Sequence, residues 1–280
     1  MVNEGLGPGG NFAQTVGMSK DNLQRHWQRH DWQQSPFAPN LRLVQALVGG
    51  ETASGAGFSR YDALARCLGE TAEILALKSG ESSEGVAAGP EHAFARNAAL
   101  KERLERWALW DWWHGHLIAV PLAAAELVAE LRAGAREKRE TALWYLPDFP
   151  YCRVVIARSL SNAEDQPILG FGAHSCAETA ARSALIELGM MELNLPTQRP
   201  ELPEYFARLM QVSASHFPLE KVVGFPPNPL RNNDNIESNL TSASIGFSLE
   251  DLTPVRCPLT VLRAVIPSAP SWGSTLGPLI

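Results

Sequence analysis

Apolar positions recur at helical spacing over 61–78, 91–117, 122–140 and 177–192, which predicts four helices. Leu41 to Val48 is apolar and compatible with a strand, although its spacing also admits a helix. Strand patterns follow at 151–158 and 167–172, and again from Leu259 to Ile266. The Gly/Ser-rich stretch 80–90 separates the first two helices. Pro-rich stretches at 196–204 and 224–230, and the polar run 231–235, mark loops. Ahead of these, Gln24-Arg25-His26-Trp27 is nearly duplicated by Gln28-Arg29-His30-Asp31. Repetition every four residues places like side chains along one helix face, so a helix, either solvated or partner-binding, is predicted in a polar arm over 1–38. Residues 39–280 contain no convincing linker and read as one domain. Strands and helices alternate irregularly, which gives an α/β or α+β class.

The chain has 280 residues and 30.5 kDa, enough for a proper core. With 45% apolar and 19% charged residues it is no disordered polyampholyte. A net charge of −6 and a pI near 5.7 argue against electrostatic capture of nucleic acid or an anionic membrane. The longest apolar run, Leu117 to Ala125, contains Pro121 and falls short of the ~20 residues that span a bilayer. Cys67, Cys152, Cys176 and Cys257 show no CxxC spacing. Together with the absence of a signal-peptide pattern, they predict a reduced, cytoplasmic protein.

A phrase occurs three times. Gly57-x5-Ala63-x4-Leu68-x-Glu70 recurs as Gly89-x5-Ala95-x4-Leu100-x-Glu102, and more loosely as Gly172-x7-Ala180-x4-Leu185-x-Glu187. Each copy has a glycine-rich turn feeding a helix. In the first two, a second glutamate follows three residues on, giving Glu70/Glu73 and Glu102/Glu105. Residues i and i+3 share a helix face, so each pair projects two carboxylates one way. If the two helices pack together, four carboxylates converge and require cations or bound protons. Hard oxygen ligands in that number suit Mg2+, which also keeps waters and phosphate oxygens in its shell. Arg106, next to Glu105, is placed to pair with a phosphate or brace a glutamate.

These residues resemble the YcaO-like family. Its GEAxER phrase appears here as Gly69-Glu70-Thr71-Ala72-Glu73-Ile74. Its GxAAG turn and ExxERDA helix appear as GVAAG at 85–89, then Glu102-Arg103-Leu104-Glu105-Arg106-Trp107-Ala108, followed by Trp112-Trp113. GFGAH at 170–174, DLTP at 251–254 and VLRAVIP at 261–267 are similar to further family blocks. The resemblance implies mixed sheets with helices packed around a central nucleotide site. It also implies ATP- and Mg2+-dependent activation of a backbone amide in a ribosomally made peptide, giving an azoline, thioamide or amidine. By the same matching, Glu70, Glu73, Glu102 and Glu105 are Mg2+–ATP residues, and Arg106 and Arg263 contact phosphate or glutamate. The implied partners are a precursor peptide and a separate leader-binding or E1-like protein, in a homo- or hetero-oligomer. The chain departs from the family pattern at Ile74, Phe94 and Trp107, and at Arg66 and Ala98, where Ser and Gln are usual. Those departures leave a second reading open, a non-catalytic subunit that scaffolds a peptide-modifying complex.

Other residues receive plainer readings. Trp107, Trp110, Trp112 and Trp113 have the spacing of core packing, and Cys67 and Cys176 read as small buried hydrophobes. His114 and His116 diverge if they lie on a helix, so the pair is not read as a zinc chelate. His174 reads as a ligand contact or a capping histidine. The GAG turn with Ser59 lacks the GK[ST] of a phosphate loop.

Overall fold

The computed structural model describes residues 21–161, 167–198, 207, 209–212, 215–219, 221–226 and 236–272. Three antiparallel sheets make up the fold. The first has the order β1-β2-β3, from Trp27–Gln33, Arg42–Val48 and Glu51–Gly57. The second has the order β4-β10-β9, from Val86–Gly89, Thr260–Val265 and Ser248–Asp251. The third has the order β5-β6-β7-β8, from Val120–Leu122, Glu140–Tyr145, Arg153–Leu160 and Ile168–His174. Three long helices cross them: α1 (Arg60–Ala76) on β3, α2 (His92–Trp113) on β4 and β10, and α4 (Ala177–Gln198) on β8 and β7. Two short helices, α3 (Ala125–Arg132) and α5 (Ile236–Ser242), complete the described elements. The mixed class predicted from sequence is the class observed.

The threefold phrase is one structural unit used three times: strand, glycine turn, helix. In each, the helix lies directly on its own strand because the glycine has no side chain to hold it off. A Cβ at Gly57 would meet Ala63 N at 3.1 Å, and one at Gly89 would meet Ala95 N at 2.8 Å. At Gly172 it would run into the Ala180 carbonyl. The three alanines are fully buried, and the leucines of the phrase, Leu68, Leu100 and Leu185, are at most 1% exposed. Burying a leucine stabilises the fold by ~1.5–3 kcal/mol, so this phrase is first a packing code. Ser59 is the N-cap of α1: its Oγ accepts from Asp62 N at 3.0 Å.

Several sequence expectations are corrected. The segment 24–31 is not a helix; a helical turn at 21–24 gives way to β1, an edge strand whose residues 28–32 are exposed. The predicted helix over 122–140 is instead β5, the eight-residue α3 and the start of β6. Gly134, at φ +76°, turns the chain after α3, and Thr141, Trp144 and Tyr145 favour the strand that follows. The loop 80–90 contains β4, and α2 stops at Trp113, before Gly115 at φ +80°. The polar run 231–235 and most of the two Pro-rich loops lie outside the described residues. Trp112 and Trp113 are core, as expected, at 0% and 2% exposure. Cys67 is buried as expected, but Cys176 is partly exposed.

Candidate functional site

The glutamates of the repeat follow a simple rule. The lead glutamate of each unit accepts a backbone N–H near its own strand. Glu70 takes Ser54 N at 2.6 Å, Glu187 takes Phe171 N at 3.0 Å, and Glu102 takes the N–H of Gly85, just ahead of β4. The second glutamate reaches across to the strand of the next unit. Glu73 takes Ala88 N at 2.8 Å, and Glu105 takes Ala173 N. Five carboxylates are thereby pinned in one interhelical cleft, each only partly exposed.

Burial disfavours their charge. It pushes Glu70 and Glu102 up to about 7, and Glu73 and Glu187 up to about 8, while their backbone hydrogen bonds act in the opposite direction. Glu105 is raised for the same reason, with Arg106 and Lys101 opposing the rise. Like charges add to the effect: Glu102 and Glu70 on Glu73, and Glu105 on Glu187. Arg106 donates its Nε to Glu102 Oε1 at 3.1 Å. Burial opposes its charge, but Glu102, Glu105 and Glu187 outweigh that and hold it above the usual arginine range. The other carboxylate oxygen of Glu102 is buried without a hydrogen-bond partner.

Of the residues singled out from sequence, Glu70, Glu73, Glu102, Glu105 and Arg106 share this cleft. Arg263 does not join them. Its guanidinium faces Glu250 at 3.3 Å, Glu81 at 3.5 Å and the Ser82 carbonyl at 3.1 Å. It lines a separate cavity of about 330 Å3 that also holds Arg103 and Glu84. Glu187 was not among the expected site residues, although the third copy of the phrase contains it. The departures at Ile74 and Trp107 pack against apolar side chains. Ile74 packs against the core under β2, and Trp107 meets Tyr151 at a tilt and Phe149 edge-on, with ring centroids at 5.3 and 6.0 Å. Phe94 is 47% exposed. His174 is a capping residue: its Nδ1 accepts Cys176 N at 3.0 Å at the start of α4, which places its proton on Nε2.

Residues 77–269 match the family described as YcaO cyclodehydratase, ATP- and Mg2+-binding. The chain belongs to the YcaO family. Helix α1 lies just outside the matched range, so its glutamates rest on the internal repeat and the geometry. No curated protein sequence matches. Among solved structures, the YcaO fold of this chain is similar to YcaO from Methanopyrus kandleri bound with AMPPCP and Mg2+. The TM-score is 0.73 at 16% identity, covering 94% of this chain and 92% of that one. A heterocyclase in complex with substrate and cofactor gives 0.74 at 15% identity, over 95% of this chain and 53% of that one. The E. coli microcin synthetase McbBCD complex gives 0.59 at 12% identity, over 86% and 88%. Among the described residues no helix is long and apolar enough to cross a membrane.

The donor set of this YcaO cleft fits Mg2+ with a nucleotide. It offers hard carboxylate oxygens, one of them orphaned, in a place where their charged form is disfavoured. Among the described residues no three His, Cys, Asp or Glu side chains converge to hold a metal by themselves. Each glutamate is tethered to a backbone N–H, so a cation here would draw on phosphate oxygens and water as well.

Proposed function

We propose that this YcaO protein is an enzyme of the ATP-dependent type that activates a peptide backbone amide during maturation of a ribosomally made peptide. The observation that carries this reading is the cleft itself: five carboxylates from three equivalent helices, with Arg106 among them and one oxygen of Glu102 unpaired. Glu70, Glu73, Glu102, Glu105 and Glu187 are the residues that would hold Mg2+ and order the nucleotide phosphates. ATP would supply the phosphoryl group that the amide oxygen takes. A nucleophile adds to the amide carbon, and phosphate then leaves with that oxygen. Phosphoryl transfer of this kind asks the protein for position and charge neutralisation more than for a nucleophile of its own. Arg106 holds Glu102 in place, and the backbone anchors fix each carboxylate before any ligand arrives.

A precursor peptide and a separate leader-binding or E1-like partner complete the proposed system, consistent with a neighbouring fold described in complex with substrate and another in the McbBCD complex. A non-catalytic scaffold is less favoured, because Ile74 and Trp107 pack against apolar clusters while Glu70 and Glu73 keep their backbone hydrogen bonds. The test is mass spectrometry of the candidate precursor after incubation with ATP, Mg2+ and partner. Loss of one water would show cyclodehydration, and exchange of oxygen for sulfur would show thioamide formation. An unmodified peptide with an active partner preparation would favour the scaffold.

A further inference from the structure

The three strand–helix units are joined by a ring of hydrogen bonds that is one bond short. Each strand at the cleft, β3, β4 and β8, is an edge strand of its sheet, and glutamates take its outward N–H groups. Between units, Glu73 crosses from α1 to Ala88 on β4, and Glu105 crosses from α2 to Ala173 on β8. The third crossing would run from α4 to β3, which pack together. Its donor is in place. Ser54 turns its N–H to Glu70, away from β2, and residues two apart on a strand point the same way, so Ala56 presents both its N–H and its C=O at the free edge. Its acceptor is not. Three residues beyond Glu187, where α1 and α2 carry Glu73 and Glu105, α4 carries Met190. Met190 packs against the apolar cluster that contains Ala56, and Ala56 is 2% exposed. Among the described residues neither polar backbone group of Ala56 makes a hydrogen bond outside the β2–β3 ladder.

We propose that this open place is where the substrate peptide enters the cleft: its backbone adds to the edge of β3 as a strand, its C=O accepting the Ala56 N–H and its N–H donating to the Ala56 C=O, while the Met190 side chain swings aside. The inference rests on the enzymatic reading above and locates that reaction's substrate. A buried, unpaired backbone donor and acceptor cost free energy, so the site favours an occupant that satisfies both. A peptide residue does so, as in any antiparallel pair. An ionised carboxylate or a nucleotide phosphate does not: it has no proton for the Ala56 C=O, and the carboxylates already in the cleft repel it. The unbranched thioether of Met190 has three rotatable bonds, so it can cover the edge without a peptide and yield to one. Ser54, two residues along the same edge, is held by Glu70. A strand added at Ala56 therefore runs beside a glutamate assigned to Mg2+ and nucleotide, where the amide has to meet the phosphoryl group.

The experiment uses the full chain with its partner, Mg2+ and ATP, and the candidate precursor peptide as probe. Met190→Gln offers the Ala56 N–H an amide oxygen on a side chain of similar length and adds no charge. It should bind Mg2+–ATP as wild type does in calorimetry, and unfold at a higher temperature because the buried donor is satisfied. Its KM for the precursor should rise about tenfold, with kcat within about twofold of wild type. Met191→Gln, the same exchange one position on, faces elsewhere on the helix and should leave KM near wild type. A precursor with a photoreactive group at the modified residue, irradiated with wild type, should label residues 53–57 or Met190. Should Met190→Gln not fold, that label decides alone. An unchanged KM for Met190→Gln, an equal rise in both variants, or labelling confined to other segments would overturn the assignment while leaving the ATP site standing. Loss of Mg2+–ATP binding by folded Met190→Gln would overturn it in favour of a structural role for Met190. A precursor that wild type leaves unmodified would overturn this inference and the enzymatic reading together.

Discussion

The carboxylate of Glu73 on α1 accepts the N–H of Ala88 on β4 at 2.8 Å, which ties the first strand–helix unit to the strand of the second. The bond gives Glu73 two separable tasks, holding a backbone donor and presenting charge. Glu73→Gln keeps an acceptor for Ala88 and removes the charge. It should fold as well as wild type but bind Mg2+–ATP at least tenfold more weakly, as measured by calorimetry. Glu73→Ala also leaves the buried donor unpaired and should cost ~1–3 kcal/mol in denaturant unfolding.

Stability without ligand should fall as pH rises. The folded chain holds protons on Glu73 and Glu187 up to about 8, whereas the ordinary carboxyl value is 4.5. Between those values the folded state binds more protons than the unfolded one, so its advantage is greatest below 4.5 and is lost as pH passes through 8. Thermal scans at pH 6 and pH 8.5 should show a drop of several degrees. Glu187→Gln should flatten that slope, and added Mg2+–ATP should oppose it.

Glycines separate into two kinds. A Cβ at Gly172 or Gly55 would collide with the backbone of the helix above it, so Gly172→Ala and Gly55→Ala should destabilise by ~1–3 kcal/mol or fail to fold. Gly69, inside α1 with nothing within 4 Å of an added Cβ, should accept alanine with a gain of ~0.5–1 kcal/mol. Chemical unfolding of the three variants checks the contrast.

Glu192 is 1% exposed, and its two oxygens meet Arg132 Nη1 and Nη2 at 2.7 and 2.6 Å, with Arg139 Nε at 3.5 Å. This pairing locks α3 to α4. Glu192→Ala strands buried arginines and should cost ~3–5 kcal/mol in unfolding experiments, with no direct effect on the nucleotide cleft.

The long helices and the placement of their glutamates were legible because one phrase encodes both: glycine and alanine set the helix on its strand, and the glutamate follows in register. The small strands were hidden for the same reason. Glu51–Gly57 and Val86–Gly89 are rich in Ala, Gly and Ser because a helix must lie on them, so they lack the β-branched residues that announce a strand. The segment 24–31 misled because a four-residue repeat is also a multiple of two, and thus marks one face of a strand as well as of a helix. Arg263 was matched by motif, but strand register turns it to Glu81 and Glu250. Glu192 gave no signal, because ion pairs between distant segments carry no local period.

The most direct measurement is calorimetric titration of Mg2+–ATP into wild type and Glu102→Gln, since Glu102 bears the unpaired oxygen of the cleft. Saturable binding to wild type, weakened at least tenfold in the variant with an unchanged fold, is the result expected. Equal affinity in both proteins, or no binding to wild type with and without its partner, would contradict the assignment of this cleft to Mg2+ and nucleotide.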